Sequence, residues 1–189
     1  MARATRIRFV GEAYQTIADV DATREETPLL ARRVIEYLFA RGIIEREPTP
    51  CVLAPEGRGY APGPNAAAAC SGDDPRRYSW AARGVEALVG RHVHYSWAET
   101  AQCPACGAAG EFPEGWSDAV DDWFAGGAGL LSCPHCGVAA PVGEWQYEPP
   151  WAFAELGIRF WNWRPLTDTF VREVGELLGH RVRLVCFKI

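Results

Sequence analysis

The sequence predicts an α+β fold, a single domain with a four-cysteine module inserted into it. Three observations predict this. Apolar residues make up 48% of the 189 positions, enough for one ordinary domain, which at this size buries about 70% of its unfolded surface without disulfides. An amphipathic helical stretch lies towards each end of the chain, each closed by a glycine and followed by an extended segment. Two C-x2-C pairs interrupt the region between them. The expected organisation is an N-terminal α+β half over 1–99 with a long Pro/Gly-rich loop at 48–75. A ribbon module with an internal helix follows over 100–145, and a strand–helix–strand over 146–189 completes the domain.

At the start, Thr5, Ile7 and Phe9 alternate with Arg6 and Arg8, the period of a strand. Basic residues without an apolar run after them do not make a signal peptide, and no run reaches 18 apolar residues, so the expected location is the cytoplasm. Thr27 can cap a helix with Pro28 at its first position. Leu30, Val34 and Leu38 then recur at i, i+4, i+8, and Gly42 is a natural stop. Ile43 and Ile44 begin an extended segment. Residues 48–75 contain six prolines and four glycines and read as loop, with short strands around Cys51 to Leu53 and Gly59-Tyr60. Two strands, 85–89 and 92–97, are expected to turn at Gly90-Arg91.

Within the cysteine module, Trp116, Val120, Trp123 and Phe124 share a helical face. Asp118 sits in the first turn, and Gly126-Gly127 ends the helix. Residues 158–163 read as a strand buried on both faces. A helix starts near Thr167-Asp168 with Phe170, Val171, Val174, Leu177 and Leu178 on one face, Gly179 ends it, and 182–189 is a closing strand. Ile-Arg-Phe occurs at 7–9 and again at 158–160, each ahead of a helix, a Gly stop and a strand, which allows an internal repeat.

Cys103-Pro-Ala-Cys106-Gly and Cys133-Pro-His-Cys136-Gly carry the chemistry. Two intervening residues let both sulfurs of a knuckle reach one ion, and two knuckles supply a tetrahedral shell of four thiolates. The glycine after each pair suits a turn whose amides approach the sulfurs. Twenty-six residues separate Cys106 from Cys133, and the helix accounts for a spacing longer than usual. The expected ion is one structural zinc, with rubredoxin-like iron as the rival. Four thiolates leave no open position for water, which points away from catalysis. His135 lies inside the second knuckle, but the shell is complete without it. His92 and His94 have a chelating spacing that an exposed strand face explains equally well. Cys51, Cys70 and Cys186 read as buried small hydrophobes.

Charge is divided along the chain. The net charge is −5, yet residues 92–158 hold nine acids and no Lys or Arg. Nucleic-acid affinity comes from cations displacing counterions, so binding through this module is not expected. The segment Phe160-Trp161-Asn162-Trp163-Arg164-Pro165-Leu166 is open to three readings, one of them a platform on which nucleic-acid bases stack. Trp161, Asn162, Trp163 and Arg164 are the candidate partner-binding residues, and a core strand with Asn162 bonded internally is the plainer reading. Residues 37–46, followed by 53–58, resemble the recognition-helix-to-wing portion of winged-helix regulators, but no helix is expected ahead of them. There is no P-loop, Rossmann fingerprint, G-x-S-x-G or H-E-x-x-H motif.

The two CPxCG knuckles, the Phe-Trp-Asn-Trp-x-Pro-Leu segment, Gly59-Tyr60 with Pro62-Gly63-Pro64, and a helix ending Leu-Gly-His before the last strand resemble a group of bacterial zinc-ribbon proteins. That resemblance implies single-domain organisation and metal binding, and no mechanism. The leading functional expectation is a zinc-binding protein with a structural ion and a protein partner. A transcription-associated ribbon that binds nucleic acid is the alternative, and a further one is an enzyme whose pocket the tryptophans and loop 48–75 would line.

Overall fold

The computed structural model describes residues 12–53, 57–77 and 82–188. The strand expected over 5–10, and with it the first copy of the possible repeat, lies outside these residues. The chain opens with β1 (Ala13–Asp19), α1 (Thr27–Ala40), β2 (Ile44–Thr49), β3 (Gly59–Pro62) and β4 (Val85–His94). The central region carries β5 (Thr100–Gln102), β6 (Ala109–Gly110), α2 (Trp116–Phe124), β7 (Leu130–Ser132), β8 (Ala139–Pro141) and β9 (Gln146–Glu148). Then come β10 (Ala152–Trp161), α3 (Asp168–Leu178) and β11 (Val182–Lys188). Helices and sheets coexist without parallel crossovers, and the fold is α+β.

Six strands make one antiparallel sheet in the order β11-β1-β10-β4-β3-β2. Alternation along β1 and β10 sends Ile17, Leu156, Ile158 and Phe160 to one face. There they meet Leu30, Val34 and Leu38 of α1 and Phe170, Val174 and Leu178 of α3. Each such side chain contributes about 1.5–3 kcal/mol by leaving water, so this shared face holds the two halves together. On α3 the stripe runs through Phe170, Val174 and Leu178, and Leu177 is only half-buried. Thr167 caps α3 by accepting the Phe170 N–H at 3.2 Å, and Gly179, at φ 78°, ends it.

Four local expectations are corrected. Thr27 is not the cap of α1: a turn from Thr23 starts the helix earlier, and the Thr27 hydroxyl, fully buried, donates to the Arg24 carbonyl. Residues 85–97 do not form a hairpin. β4 runs through Gly90 because β10 supplies partners on both sides of it, and Gly90, at φ 103°, absorbs an irregularity opposite Ala154 and Leu156. Cys51 to Leu53 is not a strand: the Cys51 carbonyl instead accepts the N–H groups of Arg83 and Gly84. Cys186 is exposed near the end of edge strand β11, whereas Cys51 and Cys70 are buried.

Loop 48–75 is built into the domain. It contributes β3, and a short 3-10 turn over Ala66–Ala69 buries Ala66 and Ala69 in the main core. Ser71 N–H donates to the Pro165 carbonyl at 2.8 Å, and Thr167 N–H to the Ala69 carbonyl at 3.0 Å.

The opposite face of the sheet carries a polar and aromatic layer. Glu86 accepts the Trp161 indole N–H at 2.8 Å, and the Arg159 guanidinium lies 4.1 Å from the Tyr14 ring centre. Fully buried His94 packs its ring over Gly157, where a Cβ would sit 2.7 Å from Cε1 and Nε2.

The cysteine module builds its own small sheets, β6-β5-β9 and β7-β8, with α2 between them. Its core gathers Ala119, Leu131, Trp145 and Tyr147 around Phe153 of β10. Arg91 of β4 fastens it from outside. Its Nε meets Glu155 Oε1 at 2.8 Å, its Nη1 donates to the carbonyls of Trp123 and Gly127, and its guanidinium lies over the Trp123 ring.

Candidate metal centre

The two knuckles have the same local construction. In the first, Cys103 N–H donates to Ala108 O and Gly107 N–H returns to Cys103 O. In the second, Cys133 N–H donates to Val138 O and Gly137 N–H returns to Cys133 O. Both turns need a left-handed residue at the end, and Gly107 and Gly137 each take φ 73°. The turn then aims a backbone N–H at the buried sulfur: Ala105 N lies 3.4 Å from Cys103 Sγ, and His135 N lies 3.4 Å from Cys133 Sγ.

The four sulfurs lie within 4.8 Å of one another. Across the knuckles, Cys103 Sγ and Cys136 Sγ are 3.9 Å apart, and Cys106 Sγ and Cys133 Sγ are 3.8 Å apart. Metal–sulfur bonds of about 2.3 Å in a tetrahedron place the sulfurs about 3.8 Å apart, so the shell has the size of a metal site. One thiol of each knuckle, Cys103 and Cys133, is buried, while Cys106 and Cys136 are exposed. The N–H of Cys136, then that of His135 and the neighbouring thiols pull the Cys133 thiol down, while the Cys106 thiol of the same cluster is pushed up as the proton is shared among the four sulfurs. Amides that favour thiolate suit a ligand. His135 supplies that amide, its side chain is exposed, and its ring is not part of the cluster.

The remaining candidates fall elsewhere. His92 and His94 stack with ring centres 5.8 Å apart, and His92 Nδ1 contacts Gly90 O. They are not part of any metal-binding cluster among the described residues. Burial pushes the Cys70 thiol up to about 12, which leaves it unreactive. Trp161 and Trp163 are 3% and 6% exposed. Asn162, at φ 55°, accepts the Ala13 N–H and donates to Ala82 O and Glu12. Of the four residues in that segment, only Arg164 is exposed. A cavity of about 830 Å³ lies between α1, the β2–β3 hairpin and β4. Among the described residues its walls include Arg58 and Tyr60 of the long loop and no tryptophan.

What sequence reasoning missed is the exposed aromatic pair Tyr95 and Trp97. The expected second strand over 92–97 hid them as ordinary alternating positions. No protein-family model, curated protein or solved structure matches the chain. No helix among the described residues is long and apolar enough to cross a membrane.

Proposed function

We propose that Cys103, Cys106, Cys133 and Cys136 hold one structural zinc ion, and that the ion staples a module through which this protein engages a protein partner. The observation that carries the reading is the set of four sulfurs within 4.8 Å, drawn from two identical knuckles. Four thiolates fill a tetrahedral shell, which suits a structural ion. The module's sheets have only two or three short strands and its core leans on Phe153 of β10, so zinc binding supplies a large part of its folding energy. A reducing compartment such as the cytoplasm keeps the thiols available. The nine acids and absent cations of residues 92–158 favour a protein over nucleic acid as the partner of this module.

Elemental analysis of purified chain tests the metal. One zinc per chain is expected, and Cys103→Ser should lose it with a large drop in stability, because structural zinc is worth about 10–16 kcal/mol in small modules. His135→Ala should keep it. Iron at full occupancy, or metal retained by Cys103→Ser, refutes the assignment.

A further inference from the structure

Trp97 is 76% exposed and Tyr95 is 43% exposed. A tryptophan this open is unusual on a surface with no partner. Neither ring hangs loose. Trp97 and Tyr95 both contact Phe187 of β11, with ring centres 5.9 and 5.2 Å apart, and Tyr95 contacts Trp151 at 5.5 Å. Trp151 in turn meets Phe112 and Trp116. The aromatic run therefore crosses from the main sheet into the metal module as one preorganised surface, and large rings held in place are the usual anchors of an interface.

Three exposed carboxylates lie near this surface among the described residues. Glu99 follows Trp97 by two residues, and its N–H donates to the Glu148 carbonyl at 3.0 Å. Glu148 pairs with Thr100, and Glu111 directly follows Gly110, the partner of Ala101. All three carboxylates are exposed. Two guanidiniums lie on this side but are already engaged: half-buried Arg183, on the Phe187 face of β11, donates to the Trp151 carbonyl at 2.6 Å, and Arg159 lies over the Tyr14 ring, while strand alternation sends Lys188 to the face opposite Phe187.

We propose that this face, centred on Trp97 and Tyr95, docks an arginine-rich extended segment of a partner protein. The inference rests on the adaptor reading above and names the chemistry of the partner. Guanidinium planes stack on Trp97 and Tyr95 and shed water more readily than an ammonium, so arginine is preferred to lysine. The carboxylates supply attraction to the rest of the segment and repel nucleic acid.

The test uses the full chain with its zinc content measured on the same sample. Fluorescein-labelled octa-arginine, octa-lysine and duplex DNA are titrated by anisotropy at about 150 mM salt, the physiological ionic strength. Octa-arginine is expected to bind about two- to fivefold tighter than octa-lysine, the range an exposed cation–π contact supplies, and duplex DNA should not bind. Trp97→Ala should remove that preference at an unchanged melting temperature, because the ring is mostly in solvent. Glu99→Gln with Glu148→Gln should weaken both peptides. No peptide binding, or equal binding of both peptides that Trp97→Ala leaves unaltered, overturns the inference. A sample that carries zinc and fails this test leaves the metal assignment standing.

Discussion

Gly157→Ala should overpack the centre of the six-stranded sheet. Gly157 lies mid-sheet, paired with Ala18 on one side and Leu88 on the other. A Cβ there would lie 2.7 Å from two atoms of the His94 ring and 2.9 Å from Thr16 Cγ2. His94 and Thr16 are both fully buried, so neither can retreat without displacing a neighbour. Overpacking of this kind costs about 1–3 kcal/mol. The alanine regains about 0.5–1 kcal/mol because a strand glycine loses more freedom on folding. The expected net loss is at most about 2.5 kcal/mol and centred near 1 kcal/mol, the latter about 2–4 °C in melting temperature for a domain of this size. Urea titration followed by tryptophan fluorescence measures it. In a His94→Ala background only the Thr16 contact remains, and the penalty should fall by at least half. An equal penalty in both backgrounds, or none in the parent chain, would refute the packing described for this face.

Three further outcomes are expected. Burial first, then Arg159 and His92, holds native His94 at about 3 against an ordinary 6.5. Between those values the unfolded chain binds a proton that the native chain does not, so stability falls on acidification by up to about 1.4 kcal/mol per pH unit. His94→Leu should flatten this slope between pH 4 and 6.5, and an unchanged slope counts against a neutral buried ring. His180 works in the opposite sense: its hydrogen bond to Asp19 raises it, so its contribution is full at low pH and fades above its raised value. Leu38→Ala, at a fully buried position, should cost about 2–5 kcal/mol, and half-buried Leu177→Ala clearly less. Equal costs would contradict the stripe on α3.

Much of this was legible in the sequence, for identifiable reasons. Leu30, Val34 and Leu38 repeat with the helical period, and glycine stops at Gly42 and Gly179 fixed the ends of two helices. The C-x2-C spacing announced a four-sulfur cluster because two knuckles have one compact way to converge. Sequence failed where a distant partner decides the local outcome. Gly90 marks a hairpin as readily as a bulge, and β10 chooses the bulge. Loop 48–75 looked formless because its order comes from bonds to Pro165 and Thr167, about ninety residues away. Trp97 could not be told from a core ring, since exposure depends on what does not pack over it.

β4 ends at His94 and its sheet neighbour β10 begins at Ala152, so residues 95–151, 57 in all, form the connection of one antiparallel pair. Closing such a loop from an open chain costs about 2 kcal/mol more than closing a four-residue turn, at about 0.6 kcal/mol per doubling. The pairing of Thr100 with Glu148 brings the two ends of that connection together within the module itself. A module that has already folded thus shortens the effective loop to a few residues and converts a distant pairing into a local one. The module's core closes around Phe153 of β10, so the module and that strand pair are expected to form as one unit. On the proposed zinc reading, metal supply would bear on how readily this pairing forms.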